Sequence, residues 1–380
     1  MRFILAPDSF KESMTAPEAV AAMERGIRAV FPDADCIRAP MADGGEGTTA
    51  TLLGALGGTD VAVRVHDGLG RPIVARYGYV AAERLAIIEV AAAAGLDLIA
   101  ADERDPLIAS TYGVGEMISD ALDHGAVRFV VGLGGSATND GGAGMLHALG
   151  AQFLDASGVP LPPGGGALAR LHRIDLAGFD LRVGAAAFQI AGDVTNPLLG
   201  PDGASVVFGP QKGADGHAVR ELDAALGTYA GVVTATVGRD VATLAGAGAA
   251  GGLGAAFLAF FDVEMRSGVD VVMAAARLDE KLAGADYVFT GEGSVDSQTL
   301  RGKTPFGVAQ AAGRHGVPVI AFAGRVSDAG VLHGHGFAAL VPIVQAVSDL
   351  PTALAEGPVN LERAVATTCR LLALHEQRRM

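Results

Sequence analysis

The run Val127-Arg-Phe-Val-Val-Gly-Leu-Gly-Gly-Ser-Ala-Thr-Asn-Asp-Gly-Gly-Ala-Gly144 reads as an apolar strand that enters a glycine loop and then opens a helix. That succession is a building unit of α/β proteins, and it turns backbone N–H groups and a positive dipole end toward any anion lying there. Ser136, Thr138 and Asn139 add side-chain donors. The window also satisfies G-x-G-x-x-G/A from Gly132 to Ala137, and Asp155 lies about where a ribose-binding carboxylate belongs. A dinucleotide-binding dehydrogenase therefore stays open as an alternative. Against it stands the polar Ser-Ala-Thr-Asn-Asp run, where a dinucleotide fold packs an apolar helix closely. A glycine turn serving only tight strand–helix packing is a third reading.

Working outward, the N-terminal side predicts a strand over 3–6, a helix over about 16–30 opened by the capping box Thr15-Ala-Pro-Glu18, and a strand over 36–39. Asp43-Gly-Gly-Glu-Gly-Thr48 then leads into another helix. Val61, Val63 and Val65, then Ile73, Ala75, Tyr77 and Tyr79, alternate at period two around the turn His66-Asp-Gly-Leu-Gly70, which predicts an antiparallel hairpin with a third strand over 85–90. From Ala285 the β-α texture returns, with strands over 287–290, 318–323 and 340–344, a helix over 305–315 and a final amphipathic helix over 361–377. The economical architecture is α/β in two domains. A Rossmann-like parallel-sheet domain is built from both chain ends, residues 1–62 plus 277–380, and a mixed α/β domain over 63–276 is inserted, with ligands expected in the cleft between them.

Composition supports this and excludes several classes. The chain has 380 residues, half of them hydrophobic and only 18% charged, which is ample for two cores. The net charge of −14 argues against a nucleic-acid partner or an anionic membrane surface. Of 28 basic residues only Lys11, Lys212, Lys281 and Lys303 are lysine. Cys36 and Cys369 are too few and too far apart in sequence for a disulfide framework, and the first apolar run is too short for a signal peptide, so a cytoplasmic location is expected. Residues 241–261 are free of charge, but five of them are glycine, so a buried turn and helix is favoured over a membrane span.

Glycine is the outlier. Average usage of about 7% would give roughly 27, and the chain has 54, of which 24 crowd into six windows totalling 49 residues. These windows hold the candidate chemistry. Asp193-Val-Thr-Asn-Pro197 places a carboxylate past an apolar strand with an amide at Asn196, suited to a base for a substrate hydroxyl, to a magnesium ligand, or simply to an Asx-turn. Phe208-Gly-Pro-Gln-Lys-Gly213 and the run from Gly291 to Thr304 set Lys212 and Lys303 beside glycine, as movable charges for phosphate. Gly302-Lys-Thr304 imitates the end of a P-loop, but Ser297 stands where that motif needs glycine. Asp43, Glu46, Glu292 and Asp296 are carboxylates beside flexible backbone, and His333-Gly-His335 reads as a surface loop.

Seven blocks together resemble the bacterial type-1 glycerate kinases: Ala6-Pro-Asp-Ser-Phe-Lys11, Pro40-Met-Ala-Asp-Gly-Gly-Glu-Gly-Thr48, Gly132 to Gly142, Asp193-Val-Thr-Asn-Pro-Leu198, Gly209-Pro-Gln-Lys-Gly-Ala214, Gly246 to Gly254, and Thr290-Gly-Glu-Gly-Ser294 through Lys303. They stand in the family's order. The resemblance implies phosphorylation of D-glycerate by ATP with Mg2+, most simply to 2-phospho-D-glycerate. A 3-kinase, a kinase of a related hydroxy acid and a non-catalytic sugar-acid sensor are the alternatives. It implies Asp193 and Lys11 as catalytic residues. Asp8, Ser9, Arg71, Ser136, Thr138, Asn139 and Asn196 would contact substrate, and Arg71 equally fits the hairpin turn. Gly134, Gly135, Lys212, Lys303, Gly293 and Ser294 would contact ATP, and Asp43, Glu292 and Asp296 the metal. A homodimer is compatible with the sequence. One departure is Glu12, where the family is expected to carry glycine.

Overall fold

Helix Ala16–Arg28 begins as its capping box predicts: Thr15 Oγ1 accepts from Glu18 N, and Glu18 Oε2 accepts from Thr15 N at 2.8 Å. It buries Ala19, Val20, Met23 and Ile27 and packs on helix Gly357–Gln377. The crossing is close enough that a Cβ on Gly26 would lie 2.6 Å from Glu362 O, so only glycine fits there.

The computed structural model describes residues 1–45 and 47–377; Glu46, and the expectation placed on it, lie outside the described residues. Among these, thirteen strands are β1 (Arg2–Leu5), β2 (Asp35–Arg38), β3 (Thr59–His66), β4 (Pro72–Val80), β5 (Leu85–Glu89), β6 (Arg128–Gly132), β7 (Gln152–Leu154), β8 (Arg173–Asp175), β9 (Ala187–Ala191), β10 (Asp262–Arg266), β11 (Tyr287–Val295), β12 (Val319–Val326) and β13 (Phe337–Pro342). The chain divides into two compact units: Met1–Asp43, Ala50–Leu56 and Val269–Met380 form the first, Gly44–Thr49 and Gly57–Gly268 the second.

The first unit is Rossmann-like. Its sheet, ordered β13-β12-β11-β1-β2, is parallel throughout and draws strands from both chain ends. Phe3, Phe289 and Phe322 fill its core, with Phe289 meeting each of the others edge-on at 5.2 Å between ring centroids. Strands buried on both faces carry such continuous apolar runs.

The second unit is mixed, ordered β10-β9-β6-β5-β4-β3. Its parallel core β10-β9-β6-β5 is edged by the antiparallel hairpin, paired Val61↔Tyr77, Val63↔Ala75 and Val65↔Ile73. Phe129 and Phe188 stack at 4.4 Å in its interior. The glycine- and alanine-rich stretch forms helix Ala249–Phe260, interrupted by left-handed Ala250, Gly251 and Gly252. No helix among the described residues is long and apolar enough to cross a membrane.

Two expectations are corrected. Gly291 to Gly293 are not a loop: β11 runs on to Val295, because its ladder with β12 continues through Ser294↔Arg325 and Val295↔Val326. The glycine loop after β6 does not open directly into a helix either. Helix Ala143–Ala148 starts only at residue 143, too late for the dinucleotide fingerprint at 132–137, and Asp155 is spent on the turn N–H groups of Ser157 and Val159.

Candidate active site

In an open parallel sheet the loops at the strands' C-terminal ends are where ligands gather. In the first unit, Asp8 follows β1 and stays beside β11, its N–H donating to Gly291 O at 2.9 Å. Its carboxylate is 8% exposed and accepts from Thr304 Oγ1 and from Ser9 N. Burial pushes Asp8 up to about 6; Thr304 opposes the rise and Asp43 adds to it. Glu292, on β11, accepts from Thr299 Oγ1 at 3.2 Å and faces Lys303 Nζ at 3.8 Å. Burial pushes Glu292 up to about 7, with Lys303 and Thr299 pulling back and Asp8 and Asp43 pushing further. Asp8, Asp43 and Glu292 thus feel one another as like charges.

Thr304 also begins helix Thr304–Arg314, which has no side-chain cap, so that helix start adds a positive dipole end beside Asp8. Lys11 is exposed, and a Cβ on Gly293 would lie 3.6 Å from its N–H, so the Lys11 backbone runs beside the end of β11. Ser294 lies one register step further along. Asp296 is taken up locally: it accepts from Gln298 N and caps the turn Ser297–Arg301. Among the described residues no three His, Cys, Asp or Glu side chains are grouped to hold a metal by themselves.

In the second unit, β6 and β9 are parallel neighbours with Gly132 opposite Ala191. Two residues beyond that pair, the exposed Gly134 and Asp193 leave the sheet on adjacent strands, with Gly135 next to the former at φ +72°. The segment that follows turns inward. Thr138, Asn139 and Asp140 are fully buried, Ser136 Oγ and Thr138 Oγ1 share a 2.9 Å hydrogen bond, and Asn139 Nδ2 donates to Ser205 Oγ. Asp140 accepts from Thr111 N and Oγ1, Gly142 N and Gly144 N. Burial raises its pKa, and those donors work against the rise. The helix start expected to receive a bound anion is therefore already served by the chain's own carboxylate.

Lys212 is 2% exposed, with Nζ donating to Thr138 O at 2.6 Å. Burial pushes it down to about 7, and Asp140 pulls it back up. Arg71 belongs to the hairpin turn: its guanidinium donates to Asp67, Glu103 and Leu98 O, which leaves little for a substrate carboxylate. Asn196 donates its amide to Asp202 O at 2.8 Å.

The structure thus assembles two groups that the sequence left scattered. Asp8, Asp43, Glu292, Lys303, Thr299 and Thr304 meet in the first unit, and Gly134, Gly135 and Asp193 emerge together in the second. Thr304, Thr299, Asp140, Thr111 and Ser205 were missed. Thr299, Thr304 and Asp140 lie inside motifs already quoted, whereas Thr111 and Ser205 carry no local signal.

Comparison with known proteins identifies relatives along nearly the whole chain. The chain is 47% identical to a glycerate kinase of Halalkalibacterium halodurans, covering 95% of each chain. It is 44% identical to the glycerate 2-kinase of Escherichia coli, covering 98% of each. A crystal structure from Salmonella typhimurium LT2, described as a glycerate kinase 2, superposes with a TM-score of 0.91 at 44% identity over 99% of both chains. The glycerate kinase family model matches residues 3–373, and the chain belongs to the glycerate kinase family.

Proposed function

We propose that this protein transfers the γ-phosphoryl group of ATP to D-glycerate and forms 2-phospho-D-glycerate. The observation that carries this reading is identity of 44–47% with curated glycerate kinases along nearly the whole chain, one of them named a 2-kinase.

In this reading Asp193 takes the proton of the glycerate hydroxyl as its oxygen bonds to the γ-phosphorus, while the bond from that phosphorus to the bridging oxygen breaks and ADP leaves. Such transfer depends mainly on positioning and on charge stabilisation. Lys11 and Lys303, both beside β11, would neutralise phosphate oxygens, and Ser9 and Ser294 would donate to them. The N–H groups of Gly134 and Gly135 would hold glycerate or nucleotide oxygens, with Ser136, Thr138 and Asn139 shaping that loop from within.

The donor chemistry fits Mg2+. Asp8, Asp43 and Glu292 are hard oxygen donors, and burial pushes Asp8 up to about 6 and Glu292 up to about 7, a cost that a nearby cation would offset. Magnesium commonly takes one or two carboxylates and completes its shell with water and phosphate, so no protein cage is required. When bound, it supplies positive charge to the polyphosphate. Asp296, engaged as a cap, is the weakest of the proposed ligands.

A coupled assay for ADP release with D-glycerate and magnesium tests the reading. Release that requires glycerate is expected, and its absence from well-folded enzyme overturns it. NMR of the product separates 2- from 3-phosphorylation.

A further inference from the structure

Lys212 follows glycine-rich sequence much like that around Lys303, yet its ammonium is sealed inside the second unit. The backbone holds it there. Pro210–Lys212 is a tight turn closed by Gly213 at φ +99°, where a Cβ would lie 2.4 Å from Arg104 O. Inside, Lys212 Nζ donates to Thr138 O at 2.6 Å. Gly251 crosses the same carbonyl so closely that a Cβ on it would fall 2.0 Å away, and Gly141 N donates to Gly251 O at 3.0 Å. The Thr138 peptide is therefore gripped by two segments more than 35 residues apart in the chain. Asp140, two residues on, serves Thr111, Gly142 and Gly144.

We propose that Lys212 is a positioning residue rather than a nucleotide ligand: its buried ammonium fixes the 136–141 segment from inside, and thereby the backbone of the exposed Gly134 and Gly135. The inference rests on the kinase reading for its effect on turnover, but its central claim concerns access and can be tested without turnover. Displacement of a reacting group by about 1 Å can cost on the order of 100-fold in rate, so a loosened loop should act on kcat.

Two measurements test it once glycerate-dependent ADP release by the wild type is established. In the first, the intact enzyme is treated with acetic anhydride, with and without Mg-ATP, and acetylation is read by mass spectrometry. Lys11 should be modified, and Lys212 should resist modification equally in both states. Modification of Lys212 at a rate like that of Lys11, with protection by ATP, overturns the proposal. In the second, Lys212→Met and Lys303→Met are compared for AMP-PNP affinity by calorimetry and for kcat per folded molecule. Lys212→Met should keep affinity within about 3-fold while kcat falls by roughly 100-fold. A larger loss of affinity, or an unchanged kcat per folded molecule, overturns it. Should Lys212→Met fail to fold, the acetylation result decides.

Discussion

Each unit of this enzyme buries carboxylates beside a threonine and a lysine, and the two treat them oppositely. In the second unit Asp140 accepts from four donor groups and shares its surroundings with the Lys212 ammonium, so its hydrogen-bonding capacity is met from within even though burial raises its pKa. In the first, buried Asp8 and half-buried Glu292 have fewer donors, Asp43 raises both and Asp8 raises Glu292 further, and the cation beside them, Lys303, lies 3.8 Å from Glu292. Buried polar groups are normally satisfied, so a satisfied carboxylate reads as structural and an under-satisfied one as reserved for a ligand. Removing Asp140 should damage the fold; removing Glu292 should damage the reaction and relieve the fold.

The largest effect expected lies outside both clusters. In its proposed role as general base, Asp193→Asn should lower kcat by about 10²–10⁴-fold, and because Asp193 is exposed the melting temperature should change little. Near-normal turnover would remove it from the mechanism. Asp140→Ala leaves three buried N–H groups and an ammonium without their carboxylate and should destabilise by about 3–5 kcal/mol in urea unfolding. A loss below about 1 kcal/mol would break the contrast between the units.

Glu292→Gln sharpens the contrast from the other side. A carboxyl whose pKa is about 7 when folded, against 4.5 ordinarily, binds its proton more tightly in the folded state. That contribution favours folding at low pH and is lost as pH rises from about 4.5 through 7. At pH 8 without metal the variant should therefore be more stable than the wild type by about 1–3 kcal/mol and should lack the wild type's decline over that window, while turnover falls. Equal stability–pH curves would show that Glu292 is not frustrated. The smallest effect concerns Glu12, which sits at φ +63°, a left-handed conformation that glycine adopts without penalty. Glu12→Gly should stabilise by about 1 kcal/mol by thermal unfolding, and a neutral or negative change would show that the turn tolerates glutamate.

Much of the fold was legible because local chemistry sufficed for it. Thr15 and Glu18 announce a helix start by side-chain geometry alone, and alternating valines announce a hairpin because strand side chains alternate faces. Glu12 stood out in the sequence as a departure from glycine, and its backbone angle supplies the reason. Gly291 and Gly293 misled because glycine is also used where backbones approach: a Cβ on Gly291 would lie 2.0 Å from Phe322 O on the neighbouring strand. Nothing local distinguishes that glycine from one in a loop.

Periodicity, capping and residue identity along the chain suffice for the α/β class, the family blocks and their order. That Lys212 is buried and Lys303 faces a carboxylate, that Arg71 is engaged by Asp67 and Glu103, and that Asp140 accepts from the N–H groups expected to meet an anion emerge only in the folded chain. Those outcomes depend on which distant segments arrive beside each group, Thr138 and Gly251 in one case and Glu292 and Thr299 in the other. Whether a charged group is sealed and satisfied or left open for a ligand is a property of that surrounding shell, which no spacing along the chain encodes.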